Sequence, residues 1–213
     1  MRALSWLLPL AACGEPHPCA GAAAPTDIES AVAHFADLPA PVDAACVVHS
    51  LARPLSVVAS ASVSSAQPAV GSEQPRIFIQ SGPLTLALAT AGDGAELLEF
   101  GEVYDDQRTR KAELVLPLSA PSVDDPFERV AHDTYGTTCA VCHDLQEDHP
   151  VRGTVSRAIR PESTTLLSIS ELADLPRDCG SVGCELMDAL LSGPLVEGAF
   201  PDHWLTIRAL NPQ

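Results

Sequence analysis

Leu55-Ser56-Val57-Val58-Ala59-Ser60-Ala61-Ser62-Val63 decides how the first half of this chain is read. Leu55, Val57, Ala59, Ala61 and Val63 fall on one side of an extended backbone, with Ser56, Ser60 and Ser62 on the other. A period of two marks a strand buried on one face. The pattern recurs downstream. Arg76-Ile77-Phe78-Ile79 reads as a second strand, and Leu84, Leu86 and Leu88 mark a third. Ala91-Gly92-Asp93-Gly94 turns the chain into a fourth, Leu97 to Tyr104. Asp105-Asp106-Gln107 turns it again, and Ala112, Leu114, Leu116 and Leu118 complete a fifth. Short strands joined by turn residues, with no helix between them, predict an antiparallel sheet. The stretch has no glycine-rich phosphate loop, no G-x-S-x-G elbow and no H-E-x-x-H, so its expected role is structural.

Upstream, Thr26-Asp27-Ile28-Glu29 matches a capping box. Ile28, Val32 and Phe35 follow at helical spacing, and Pro39-Ala40-Pro41 ends the expected helix. Gly14 to Pro25 is mostly Gly, Ala and Pro, read as part of a flexible tether over 13–25 with Cys19 outside any site. Residues 1–12 read as an export signal: Arg2 supplies the charge, and Ala3 to Leu10 is apolar but too short to span a bilayer. Leu10-Ala11-Ala12-Cys13 resembles the lipobox of bacterial lipoproteins. That resemblance implies a diacylated Cys13, a membrane partner engaged through lipid, and a cell-envelope location on the periplasmic or outer-membrane face. Export also places the cysteines where disulfides persist.

After Pro121 the alternation gives way to helical signals. Residues 26–121 are therefore expected to hold the short helix and β-region, and 122–213 a helical region. Asp124, Asp125 and Pro126 open a helix running from Phe127 to Tyr135. A polar loop is expected from His143 to about Ser163. Ser168-x-x-Glu171 caps another helix that stops at Pro176. Ser181 can cap a third, with Leu186 and Leu190, then Met187 and Leu191, paired at i, i+4 and Gly193-Pro194 ending it. Phe200 to Leu210 should pack back on the body.

Cys139-Ala140-Val141-Cys142-His143 carries the chemistry. C-x-x-C-H is the attachment pattern for a c-type haem. One helical turn brings two thiols to the vinyl groups, and the next residue sets an imidazole under the iron. With Tyr135 four residues before the first cysteine, the stretch from Phe127 to at most Asp202 resembles the cytochrome c family. The resemblance implies covalent haem c on Cys139 and Cys142, His143 as proximal iron ligand, and electron transfer with redox proteins as partners. It gives an α+β fold: an antiparallel β-region followed by a small helical cytochrome c-like C-terminal region. Phe200-Pro201 stands where many members have Met-Pro, so Met187 or His203 is the candidate distal ligand. A five-coordinate iron would instead suit ligand sensing or peroxidase-like chemistry.

Two other readings of the cysteines stay open. Cys139 and Cys142 can form a disulfide, or can join Cys179 and Cys184 around a structural zinc. Cys179 and Cys184 flank Gly-Ser-Val-Gly and are expected to bridge each other, while Cys46 has no evident partner. The expected function is an exported lipoprotein with one haem, an electron carrier more than an enzyme. The alternative is a disulfide-stabilised structural or binding lipoprotein, without haem or with zinc. Composition bounds both. The 213 residues are 46% hydrophobic but 4% aromatic, so the core must be built from Leu, Val, Ile and Ala. The net charge of −16 argues against nucleic acid and anionic membrane surfaces as partners.

Overall fold

Five strands form the meander that the alternation predicts: β1 (Leu55–Ser60), β2 (Arg76–Ser81), β3 (Leu84–Ala89), β4 (Leu97–Asp105) and β5 (Arg108–Val115), each antiparallel to the next. The computed structural model describes residues 16–65, 67–119, 124–132, 136–137, 139–143, 147–176 and 182–206. The β2–β3 hairpin turns on Gly82-Pro83, with Gly82 at φ 59, a left-handed conformation that glycine adopts without a Cβ penalty. Ile77, Ile79, Leu84, Leu86, Leu88, Leu98 and Leu114 are all buried on one face. The opposite face carries the intervening residues, Arg76, Phe78, Thr85, Glu99, Lys111 and Glu113.

The second half differs from expectation. Its elements are α3 (Pro126–Val130), β6 (Ala131–His132), β7 (Gly136–Thr137), α4 (Ala140–His143), β8 (Glu147–Asp148), β9 (Thr154–Arg157), β10 (Ile159–Arg160), β11 (Leu166–Leu167), α5 (Ile169–Ala173), α6 (Val182–Leu191), β12 (Leu195–Glu197) and β13 (Leu205–Thr206). They do not make a small helical cytochrome c-like region. Four of these strands join the meander in one nine-stranded mixed sheet, ordered β11-β1-β2-β3-β4-β5-β9-β8, with β12 parallel to β1. The helix expected over Phe127 to Tyr135 stops at Val130, and Ala131–His132 turns back to pair with Gly136–Thr137. The loop expected after His143 contains β8, β9 and β10. Strands of two to four residues show too few alternations to register as a period of two.

Two helices precede the sheet, α1 (Ile28–Ala36) and α2 (Ala44–Ser50). With α6 they cover the apolar face through Ile28, Phe35, Val47, Val48, Leu186 and Leu190 in one core. In α1 the N-cap is Asp27, not Thr26: its carboxylate accepts from Ser30 N at 2.7 Å. That frees Glu29 for an ion pair with Arg110. The capping box at Ser168 and Glu171 is present as expected. Arg53 closes the far end of α6, donating to the Leu190 and Ala189 carbonyls at 2.7 and 2.6 Å. A cation at the last carbonyls both satisfies them and suits the helix dipole.

The segment expected to be a tether is tied down from residue 16 onward. Cys19 is 4% exposed and bonded to Cys46 in a disulfide. Gly21 N and Ala23 N donate to His49 O and Ser50 O, and Ala52 N returns a bond to Ala23 O. The disulfide closes a chain separation of 27 residues. Replacing both cysteines by serine should cost about 2–4 kcal/mol, mainly by freeing the unfolded chain. An unchanged midpoint in reversible urea unfolding would show that the strap adds nothing.

Candidate functional site

The polar face of the sheet becomes a site because the C-x-x-C-H turn lies over it. Cys142 N and His143 N both donate to Cys139 O, at 3.1 and 2.9 Å, so α4 is one turn with the two sulfur-bearing residues three apart on one side. On the far side, Phe200 meets Phe78 edge to face, with centroids 5.2 Å apart, and Trp204 leans on Phe200 at 5.8 Å. The Trp204 indole is pinned by its bond to Asp106 O, 3.1 Å. Between the turn and this aromatic flap is a cleft of ≈ 150 Å³ lined by Cys139, Cys142, His143, Arg76, Lys111 and Phe200, among others.

His143 is held in one tautomer. Its Nδ1 lies 2.7 Å from the Arg157 carbonyl of β9. A carbonyl only accepts, so Nδ1 carries the hydrogen and Nε2 keeps its lone pair, the state a metal takes up. Burial, then the Lys111 and Arg76 charges, pushes its pKa down to about 3, against the pull of the Arg157 carbonyl. The ring is neutral at any physiological pH. Since β9 pairs with β5, the strand that fixes His143 also neighbours the strand carrying Lys111.

The cleft floor is charged. Arg76 pairs with Glu99, donates to Ser65 Oγ and lies 4.8 Å over the Phe78 ring. Its Nε is buried and has no hydrogen-bond partner, as is Thr109 Oγ1 at the same cleft. Burial pulls the Lys111 pKa down, opposed by the nearby Cys139 and Glu99. Burial pushes Glu113 up, with Glu99 adding to it, and Arg129 answers at 3.5 Å.

Cys139 and Cys142 are thiols, not a disulfide with one another. The two expected distal ligands are elsewhere. Met187, 5% exposed, belongs to the core on the other face of the sheet. His203 Nε2 is bonded to Asp106 O at 2.6 Å, in a second hollow beside Arg108. Cys13, Tyr135 and Cys179 lie outside the described residues. Cys184 is buried and disulfide-bonded. Among the described residues, no group of three or more His, Cys, Asp and Glu is arranged to hold a metal ion.

Sequence reasoning missed Arg76, Glu99, Lys111 and Glu113. A signal for Lys111 was there: of the 12 Lys and Arg residues in the chain, it is the one lysine. Searches with family profiles, curated proteins and solved structures return no match.

Proposed function

We propose that this chain is an exported lipoprotein carrying one covalent haem c, with electron transfer as its work. The observation that carries this reading is the His143 ring, neutral and locked by Nδ1 to the Arg157 carbonyl, one residue past two thiols on a single turn. Iron needs an imidazole in that state. When bound, the haem supplies one-electron chemistry. The chain's own part is to hold it through Cys139 and Cys142, ligate through His143, exclude water with Phe78, Phe200 and Trp204, and offer Arg76 to carboxylates.

The donor set fits a haem; the present width of the cleft is narrow. At ≈ 150 Å³ the cleft is smaller than a porphyrin, so this reading requires it to widen on loading. Zinc fares worse. The disulfide at Cys184 removes one of the four sulfurs that site requires.

The envelope location rests on Leu10-Ala11-Ala12-Cys13. No helix among the described residues is long and apolar enough to cross a membrane. With Cys19 bonded to Cys46, acylation at Cys13 would put the lipid six residues before the disulfide. The test is expression in a host with c-type haem maturation. A Soret band, haem that stays with the polypeptide in a denaturing gel, and the matching mass increment are expected. A colourless chain of unmodified mass overturns the reading.

A further inference from the structure

Two polar groups on the floor of the cleft are left without the partners they need. Arg76 is paired with Glu99, and Glu113 has Arg129 at 3.5 Å. Lys111 enters no ion pair and no hydrogen bond among the described residues. Glu99 is close enough for Lys111 to feel its charge, but is already held by Arg76. β4 places Gly101 opposite Lys111, and a Cβ built there would meet Nζ at 3.6 Å, so the ammonium lies over the glycine on the cleft floor. A glycine inside a strand often marks such a close approach. Two residues back on the same face of β5, Thr109 is 2% exposed, lines the same cleft, and buries an Oγ1 with no hydrogen-bond partner. Ser156 Oγ, on the residue directly across on β9, is in the same state. A desolvated charge without a counter-charge and a buried hydroxyl without a bond both cost stability. One anionic group set between them relieves both.

We propose that this cleft binds a small carboxylic acid with an apolar or aromatic tail, its carboxylate held by Lys111 Nζ and Thr109 Oγ1. Residues two apart on a strand are separated by about 6.6 Å, a gap that one carboxylate bridges with an oxygen toward each donor. The tail has its walls in place. Phe200 and Trp204 close over the polar face of the sheet, and Phe78 meets Phe200 edge to face. The bond from Trp204 to Asp106 O anchors this flap three residues before Thr109. The ≈ 150 Å³ available keeps the tail small. A carboxylate suits the charge better than a phosphate. One ammonium and one hydroxyl answer a single negative charge, and a second would face Glu99 and Glu113 at the same cleft. Neither donor belongs to the C-x-x-C-H turn, so the site is independent of the haem reading and belongs to the haem-free cleft at its present width.

The experiment uses calorimetry on the full chain made in a host without c-type haem maturation. Benzoate and butyrate are titrated as two tail shapes, with benzamide as the neutral match for benzoate and inorganic phosphate as a simple anion. At least one of the acids is expected to bind with Kd below about 1 mM, and benzamide at least about tenfold more weakly than benzoate. Lys111→Gln should weaken acid binding about ten- to a hundredfold, the range for a hydrogen bond to a charged group, and Thr109→Val by roughly fivefold. The benzoate and benzamide comparison is made on the wild type, so it decides the matter even where a variant fails to fold. Binding of neither acid, equal binding of benzoate and benzamide, phosphate binding tighter than both acids, or undiminished acid binding in Lys111→Gln each overturns the proposal. Haem attachment is read separately by mass and colour, and none of these results touches it.

Discussion

On the haem reading proposed above, Cys139→Ala combined with Cys142→Ala is expected to abolish covalent attachment while leaving the fold in place. The two thiols are half-buried on the polar face of the sheet. The main core of Leu84, Leu86, Leu88, Leu98 and Leu114 lies on the opposite face. Losing them therefore opens no cavity in that core, and surface changes away from such features usually stay within about 0.5 kcal/mol. The disulfide between Cys19 and Cys46 is an internal control for oxidation. Each single variant should retain at most one thioether. On the same reading His143→Ala should behave differently: attachment could proceed at the sulfurs, but the proposed proximal nitrogen would be gone. Intact-mass spectrometry and the ferric spectrum separate the two outcomes. Haem retained at wild-type mass in the double variant would show that attachment lies elsewhere in the chain.

What could be read in advance follows from how much sequence each element occupies. The meander was legible because β1 to β5 are six to nine residues long, each with several alternations. The same alternation places Lys111 and Glu113 opposite Ala112 and Leu114, so it names the residues of the polar face without naming what covers it. α2 went unread because Val47-Val48 is a β-branched pair. A helix forms there through tertiary burial of both valines and the Asp43 cap, whose carboxylate accepts from Cys46 N at 2.7 Å. Cys19 was set aside because its neighbours are Gly, Ala and Pro, a composition that says nothing of a partner in α2. The motif itself was plain, yet its anchor was not. The group that orients His143 is a backbone carbonyl at Arg157, and any residue type supplies a carbonyl.

Arg110→Ala is expected to be the most destabilising single change on the sheet, by about 3–5 kcal/mol, the range for removing one partner of a buried ion pair. Arg110 lies on β5 with a side chain 4% exposed. Its guanidinium donates to both oxygens of Glu29 on α1 and, at 2.6 Å, to Glu102 on β4. Glu102 also accepts from Ile28 N, 2.9 Å, so one cluster fixes the start of α1 to the sheet. The guanidinium further lies 4.9 Å from the Phe127 ring centre, which ties in α3. Without the arginine, Glu29 can swing into water, being 45% exposed, whereas Glu102 at 19% is largely held in place. The loss should therefore concentrate on Glu102 and the α1 terminus. Arg110→Lys should recover little, because an ammonium cannot fork between two carboxylates. The acid limb of stability supplies a second readout. Burial alone would raise the Glu29 carboxyl, but the Arg110 hydrogen bonds and charge outweigh it and hold it below its ordinary 4.5. With the folded value below the unfolded one, the unfolded chain binds more protons in that window, so stability rises with pH across it. The contribution is present above pH 4.5 and fades as pH falls through the folded value. In Arg110→Ala this limb should flatten. Urea unfolding at neutral pH and through the acid range measures both effects, and a loss under about 1 kcal/mol would place Arg110 among ordinary surface ion pairs.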